Sequence, residues 1–191
     1  MHKNCNTDKD ALNYISDFKT ILSTMIEKMT SAPLNDSISH NFIVQMIPHH
    51  IAAIEMSKNV LKYTDNEELI KIAQGIITEQ TKSIKNMENI LDECSELTNP
   101  CQAVRAYTFN TNSILKIMFA CMKSAYTSDR INCNFMREMI PHHKGAVRMS
   151  KNALRFNICP ELVPILNAII KSQEKGIGEM LSLLQKLNCE M

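Results

Sequence analysis

Two histidine pairs, each close to methionine, are the residues of this chain whose types and spacing suit chemistry. Met46-Ile47-Pro48-His49-His50 returns 93 positions later as Met139-Ile140-Pro141-His142-His143. On a helix, residues three and four apart are neighbours. Met46 therefore lies one turn before both His49 and His50, with Ala53 and Met56 just beyond. Met139, His142, His143, Ala146 and Met149 take the same places in the second copy. Imidazole nitrogen with thioether sulfur and few carboxylates is a ligand set for copper, best of all Cu(I), and for its soft mimic Ag(I). Zinc would want Cys-rich spacing, and calcium or magnesium would want oxygen ligands; neither pattern is present. A carboxylate-bridged di-iron site needs an inward Glu-x-x-His step, which neither copy has.

The same offset carries further matches. Asn41-Phe42 answers Asn134-Phe135, and Met56-Ser57-Lys58-Asn59 answers Met149-Ser150-Lys151-Asn152. Met25 and Met29 fall on Met118 and Met122, which makes these four thioethers additional candidate ligands reaching in from the preceding helix. Gln80 falls on Gln173, each inside an apolar stripe. They are read as groups that hydrogen-bond an imidazole and fix its tautomer, the alternative being that they satisfy backbone groups. A methionine stripe is ordinarily core, and a helical histidine is ordinarily no ligand; the doubling of the pairs is what favours metal for the histidines. Cys121, beside Met118 and Met122, reads as a small buried hydrophobe before a soft ligand. Cys133 stands where the first copy has His40.

Helices must position these groups. Ile15, Phe18, Leu22, Met25 and Met29 step 3, 4, 3, 4, the spacing of a buried helical face, and predict a first helix over about 10–30 after a polar, loose segment capped at Thr7 or Asp8. A second runs over about 38–63 through the first His pair. Thr64-Asp65-Asn66-Glu67 reads as a capping box opening a third over about 66–94, whose face is Leu69, Ala73, Ile76, Gln80, Ile84, Met87 and Leu91. After a hinge at Cys94 to Cys101, with Asn99 as a cap before Pro100, three more helices span about 100–126, 129–156 and 160–187, the last opened by Pro160. Pro48 and Pro141 each remove a ladder bond at about 3 kcal/mol. Helical phase continues across both, so each reads as a kink just before its His pair. The expected fold is all-α: one domain over 1–191 made of two tandem three-helix repeats, 7–97 and 98–190, each burying its stripe against the other.

Phase also predicts the outward faces. In the second copy Arg137, Lys144, Arg148, Lys151 and Arg155 make a solvated basic face. In the first, Val44 and Ile51 fall outward, so that face is expected to be covered by a neighbouring helix or by a second subunit as a homodimer.

Composition bounds the rest. The 191 residues are 45% apolar and 21% charged, ordinary for a globular protein; Gly (4) and Pro (6) are scarce, and Met is abundant at 13. A net charge of +1 gives no field that argues for nucleic acid or an anionic membrane. No run approaches the roughly 18 apolar residues of a spanning helix, and the N-terminal residues lack a signal-peptide core, so the expected location is cytoplasmic. Seven Cys with no Cys-x-x-Cys pair read as free thiols in a reducing compartment. No acid/base pair, nucleophile triad or phosphate loop names a substrate.

Phe-x-x-x-Met-Ile-Pro-His-His, at Phe42–His50 and again at Phe135–His143, followed by Ala and Met at the matching steps, resembles the domain-of-unknown-function 305 family of bacterial proteins. The resemblance covers nearly the whole chain, Gln80 and Gln173-Glu174 included. It implies a ferritin-like helical bundle and, for its best understood members, copper or silver binding in periplasmic tolerance, many being exported. Position by position it points to Met46, His49, His50, Met139, His142 and His143, and less directly to Met56 and Met149. The reading is a non-enzymatic soft-metal protein for buffering, transfer or tolerance. A metal-free structural or interaction bundle and a ferritin-like redox enzyme are the alternatives.

Overall fold

A computed structural model describes residues 7–189. Six helices follow one another: α1 (Thr7–Thr30), α2 (Ile38–Leu61), α3 (Glu67–Ser95), α4 (Cys101–Lys123), α5 (Ile131–Ala153) and α6 (Leu162–Lys186). The described residues contain no strand. Within each repeat the middle helix packs against both neighbours; between repeats, α2 packs on α5 and α3 on α6. These four make the centre, with α1 and α4 on its flanks. The His pairs sit on the two helices surrounded most completely.

That position suits α2 and α5, which run unbroken through Pro48 and Pro141. Burial on several sides offsets the missing ladder bond. Phe42, Met46, Phe135 and Met139 are fully buried around the prolines.

Residues kept in both copies at the 93-residue offset pin equivalent joints. Asn41 accepts from Asn35 N–H at 2.8 Å and donates to the Asn35 carbonyl at 2.8 Å. Asn134 makes the same pair with Ser128, at 3.0 and 2.7 Å. Asn59 donates to the Tyr14 carbonyl and Asn152 to that of Tyr107, fixing the outer helix of each repeat against its middle one.

Helix ends differ in detail from the periodicity. The third helix is capped by Asn66, whose side chain accepts from Leu69 N–H at 2.9 Å, and Thr64 instead accepts from Asn66 N–H. Asn99 is not a cap: its carbonyl oxygen accepts from Ile38 N–H and its amide donates to the Asn157 carbonyl, which buries the hinge between the repeats. α4 starts behind Pro100, and α6 starts at Leu162, two residues after Pro160. α1 is already helical at Thr7, so Asp8 lies in its first turn; the rest of the polar leader lies outside the described residues.

The cysteines correct the free-thiol reading. Cys94 pairs with Cys159, tying the end of α3 to the α5–α6 connector across the repeats. Cys133 pairs with Cys189, closing the start of α5 on the segment after α6. The second pair has a near-parallel in the first repeat: where Cys133 holds Cys189, its counterpart His40 holds Ser95, the residue before the equivalent position Glu96, by a 2.9 Å hydrogen bond. Cys101 and Cys121 are free and exposed, so Cys121 is not the buried hydrophobe expected. Cys5 lies outside the described residues. The cysteine argument for a reducing compartment falls with the pairing, since disulfides persist in oxidising ones.

On the outer faces, Lys144, Arg148, Lys151 and Arg155 are exposed as expected. Val44 is half-buried and Ile51 is 40% exposed. No described helix is long and apolar enough to cross a membrane.

Candidate metal centre

Where α2 and α5 pass, His49 and His142 lie face to face, ring centroids 3.6 Å apart and planes tilted by 30°. His142 Nε2 is 3.0 Å from the His49 carbonyl oxygen. A carbonyl only accepts, so His142 carries its proton on Nε2 and presents a lone pair at Nδ1. His50 and His143 stand outside this stack, each with its ring 6.0 Å from its sequence neighbour's. His50 Nε2 meets the Ser83 hydroxyl of α3 at 3.1 Å, while His143 lies against Gly176 of α6.

Burial governs the charge of these rings. Desolvation, more than mutual repulsion, pushes His50 down to about 3, and desolvation pushes His142 down to about 4, from the ordinary 6.5. His49 and His143 are lowered well below 6.5, again chiefly by burial and then by the other histidines. At neutral pH all four are uncharged bases, the protonation state that metal ligation requires.

Five ring nitrogens have no hydrogen-bond partner: both of His49 and Nδ1 of His50, His142 and His143. Leaving such groups buried and unsatisfied costs about 1–3 kcal/mol each. The neighbouring candidate sulfurs are equally enclosed. Met46, Met139 and Met149 are fully buried, and Met56, Met25, Met29, Met118 and Met122 nearly so. Met118 fills the notch at Gly145, where a Cβ would come within 2.0 Å of its sulfur. Among the described residues no three imidazoles bring ring nitrogens within 4.8 Å of one another. Imidazole nitrogen and thioether sulfur are the donor types available on these helices, and such a donor set fits a soft cation. The one convergent group among the described residues, Cys94, Cys159 and Glu161, has its sulfurs joined as a disulfide.

Gln80 and Gln173 are buried at the α3–α6 interface beside the cluster. Neither amide bonds an imidazole: both side-chain atoms of Gln80 and the Oε1 of Gln173 are without partners.

Two features escaped the sequence. Glu138 is fully buried one turn before His142 and accepts a hydrogen bond from the Tyr14 hydroxyl of the other repeat. Desolvation pushes its carboxyl up to about 8, against the opposing effect of that bond. The available signal was a difference, since Gln45 stands in the equivalent place. Ser83 and Gly176 are likewise equivalent positions that differ, one offering His50 a hydroxyl and the other offering His143 nothing.

The family model described as "Domain of unknown function (DUF305)" matches residues 19–91 and 39–184. The chain belongs to this family. Among solved structures, the DUF305 chain resembles CopM in an Ag-bound form, with 28% identity, TM-score 0.59, and coverage of 78% of this chain and 95% of that one. It resembles CopM in the Cu(I)-bound form at 29% identity and TM-score 0.58, covering 78% and 96%. A DUF305 fragment from Deinococcus radiodurans, at 22% identity and TM-score 0.59 over 81% and 99% of the two chains, shares the fold. No curated protein matches the chain.

Proposed function

We propose that this DUF305 protein binds a soft cation, Cu(I) before Ag(I), and serves to buffer, transfer or tolerate it without catalysing a reaction. The observation that carries the reading is the cluster of five unpartnered, buried imidazole nitrogens between two repeats rich in enclosed thioethers. His49, His50, His142 and His143 would supply nitrogen, and Met46 and Met139 sulfur, with Met56 and Met149 next in line. Met25, Met29, Met118 and Met122 complete the candidate set. The likeness to CopM, solved with Ag, Cu(I) and Cu(II), supports the choice of ion. A holding role is favoured over redox catalysis because His49 and His142 are fully shielded from solvent, which leaves little room for a co-substrate.

X-ray absorption on the Cu(I)-loaded protein, with thiols blocked, tests the ligand set. Mixed nitrogen and sulfur scattering is expected; a spectrum with sulfur alone, or with oxygen and nitrogen alone, would overturn it.

A further inference from the structure

The two histidine half-sites differ at their outer ring nitrogen. His50 Nε2 is held by the Ser83 hydroxyl at 3.1 Å. In the second repeat the equivalent of Ser83 is Gly176, and a Cβ there would approach His143 Cδ2 and Nε2 to 3.1 Å. With no side chain at 176, the His143 ring packs against the glycine and its Nε2 meets no hydroxyl there. His143 and Gly176 line a groove of about 360 Å³ between α3 and α6, whereas His50 and Ser83 line a separate cleft of about 280 Å³. Gln80 and Gln173 border both.

A cation cannot cross an apolar shell bare; it must trade water for protein donors one step at a time. On the flanks, α1 and α4 turn apolar side chains such as Phe18, Leu22 and Leu115 into the core. The α3–α6 side instead offers a graded series of donors. Glu79 is exposed, borders both clefts and has no salt bridge among the described residues, while Glu68 is held by Lys186 at 2.8 Å and Glu179 by Lys175 at 3.5 Å. The unpartnered Gln80 amide and the buried His143 ring line the same groove as the exposed Glu79.

We propose that the groove between α3 and α6 is the route by which a soft cation reaches and leaves the buried histidines, with His143 Nε2 as its first imidazole and His50 latched behind Ser83. The proposal rests on the metal-binding reading above. It makes the half-sites kinetically unequal although the sequence repeats them. Glu79 draws the cation to the mouth, and the amides of Gln80 and Gln173 accept it as it sheds water.

Gly75 provides the test, because it lines the groove and an added Cβ there meets nothing within 4 Å. In Gly75→Phe a ring would obstruct the route without displacing a ligand. Cu(I)-loaded protein with blocked thiols is mixed with excess chromogenic Cu(I) chelator to read release, and equilibrium competition gives Kd. The expected result is release at least tenfold slower in Gly75→Phe with Kd within twofold of wild type, and uptake slowed severalfold in the surface variant Glu79→Gln. Release as fast as wild type in Gly75→Phe would overturn the route. Carbethoxylation of the metal-free protein, mapped by mass spectrometry, separates this from the metal reading. His143 should react well before His49, His50 and His142, and much more slowly in Gly75→Phe. Equal reaction of His50 and His143 would overturn the inequality. Absence of Cu(I) uptake beside His143-selective carbethoxylation would overturn the metal reading and leave a groove without that cargo.

Discussion

His142 donates from Nε2 to the carbonyl oxygen of His49, 3.0 Å away, so the backbone of one repeat sets the tautomer of a ring in the other. The lone pair at His142 Nδ1 is thereby fixed before any ion arrives. In His142→Gln the side-chain amide can still donate to that carbonyl, but the ring nitrogen is gone. Affinity for Cu(I) should fall at least about tenfold, the scale seen when metal sites lose such support, while helicity is kept. Unchanged affinity would remove His142 from the site.

Acid should unfold the metal-free protein. Between pH 6.5 and the depressed values of about 3 for His50 and about 4 for His142, the unfolded chain carries protons that the folded one refuses. The contribution of these rings is therefore full above pH 6.5 and is lost as pH falls through that window, by about 1.4 kcal/mol per pH unit for each ring. Denaturant melts at pH 7, 6 and 5 should show a steady decline. Flat stability down to pH 4 would contradict the neutral, buried cluster.

Glu138 has the opposite sign. Its folded carboxyl is raised to about 8 from 4.5, so its contribution is full below pH 4.5 and is lost as pH rises through 8. Glu138→Gln copies Gln45 of the first repeat. It should remove this alkaline decline, raising stability at pH 8 relative to wild type while changing it little at pH 5. Equal pH profiles for the two proteins would show that Glu138 is not held protonated.

The Cys94–Cys159 bridge closes 65 residues of separation and joins the repeats. Cys94→Ser with Cys159→Ser should cost about 2–4 kcal/mol, lowering Tm by roughly 5–15 °C for a chain of this size. A reductant acts on this bridge and on Cys133–Cys189 together, so calorimetry of the double variant is the specific comparison. A Tm in the double variant equal to that of wild type would contradict a stabilising bridge.

The helices were legible because their apolar stripes keep period 3.6 over several turns, and the His pairs because two copies could be laid over one another. That overlay rewards identity, so it passed over Glu138 opposite Gln45 and Gly176 opposite Ser83, where the repeats differ and the site becomes asymmetric. Cysteine pairing was illegible for the same reason: Cys94 and Cys159 have no counterparts at the repeat offset, and nothing local brings them together. Only the packing of α3 against the α5–α6 connector does so. Asn99 illustrates a further loss. A cap and a tertiary clasp use the same side chain, and the distant Ile38 and Asn157 decided between them. Gln80 and Gln173 were placed at the interface, but the partners expected of them are not formed.

The most direct measurement is an anaerobic Cu(I) titration against a chromogenic competing chelator, on wild type and on His49→Ala with His142→Ala, thiols blocked in both. The account predicts tight uptake by wild type that survives the block, and its loss in the double variant with helicity intact. Equal uptake by the two proteins, or none by wild type, would contradict it.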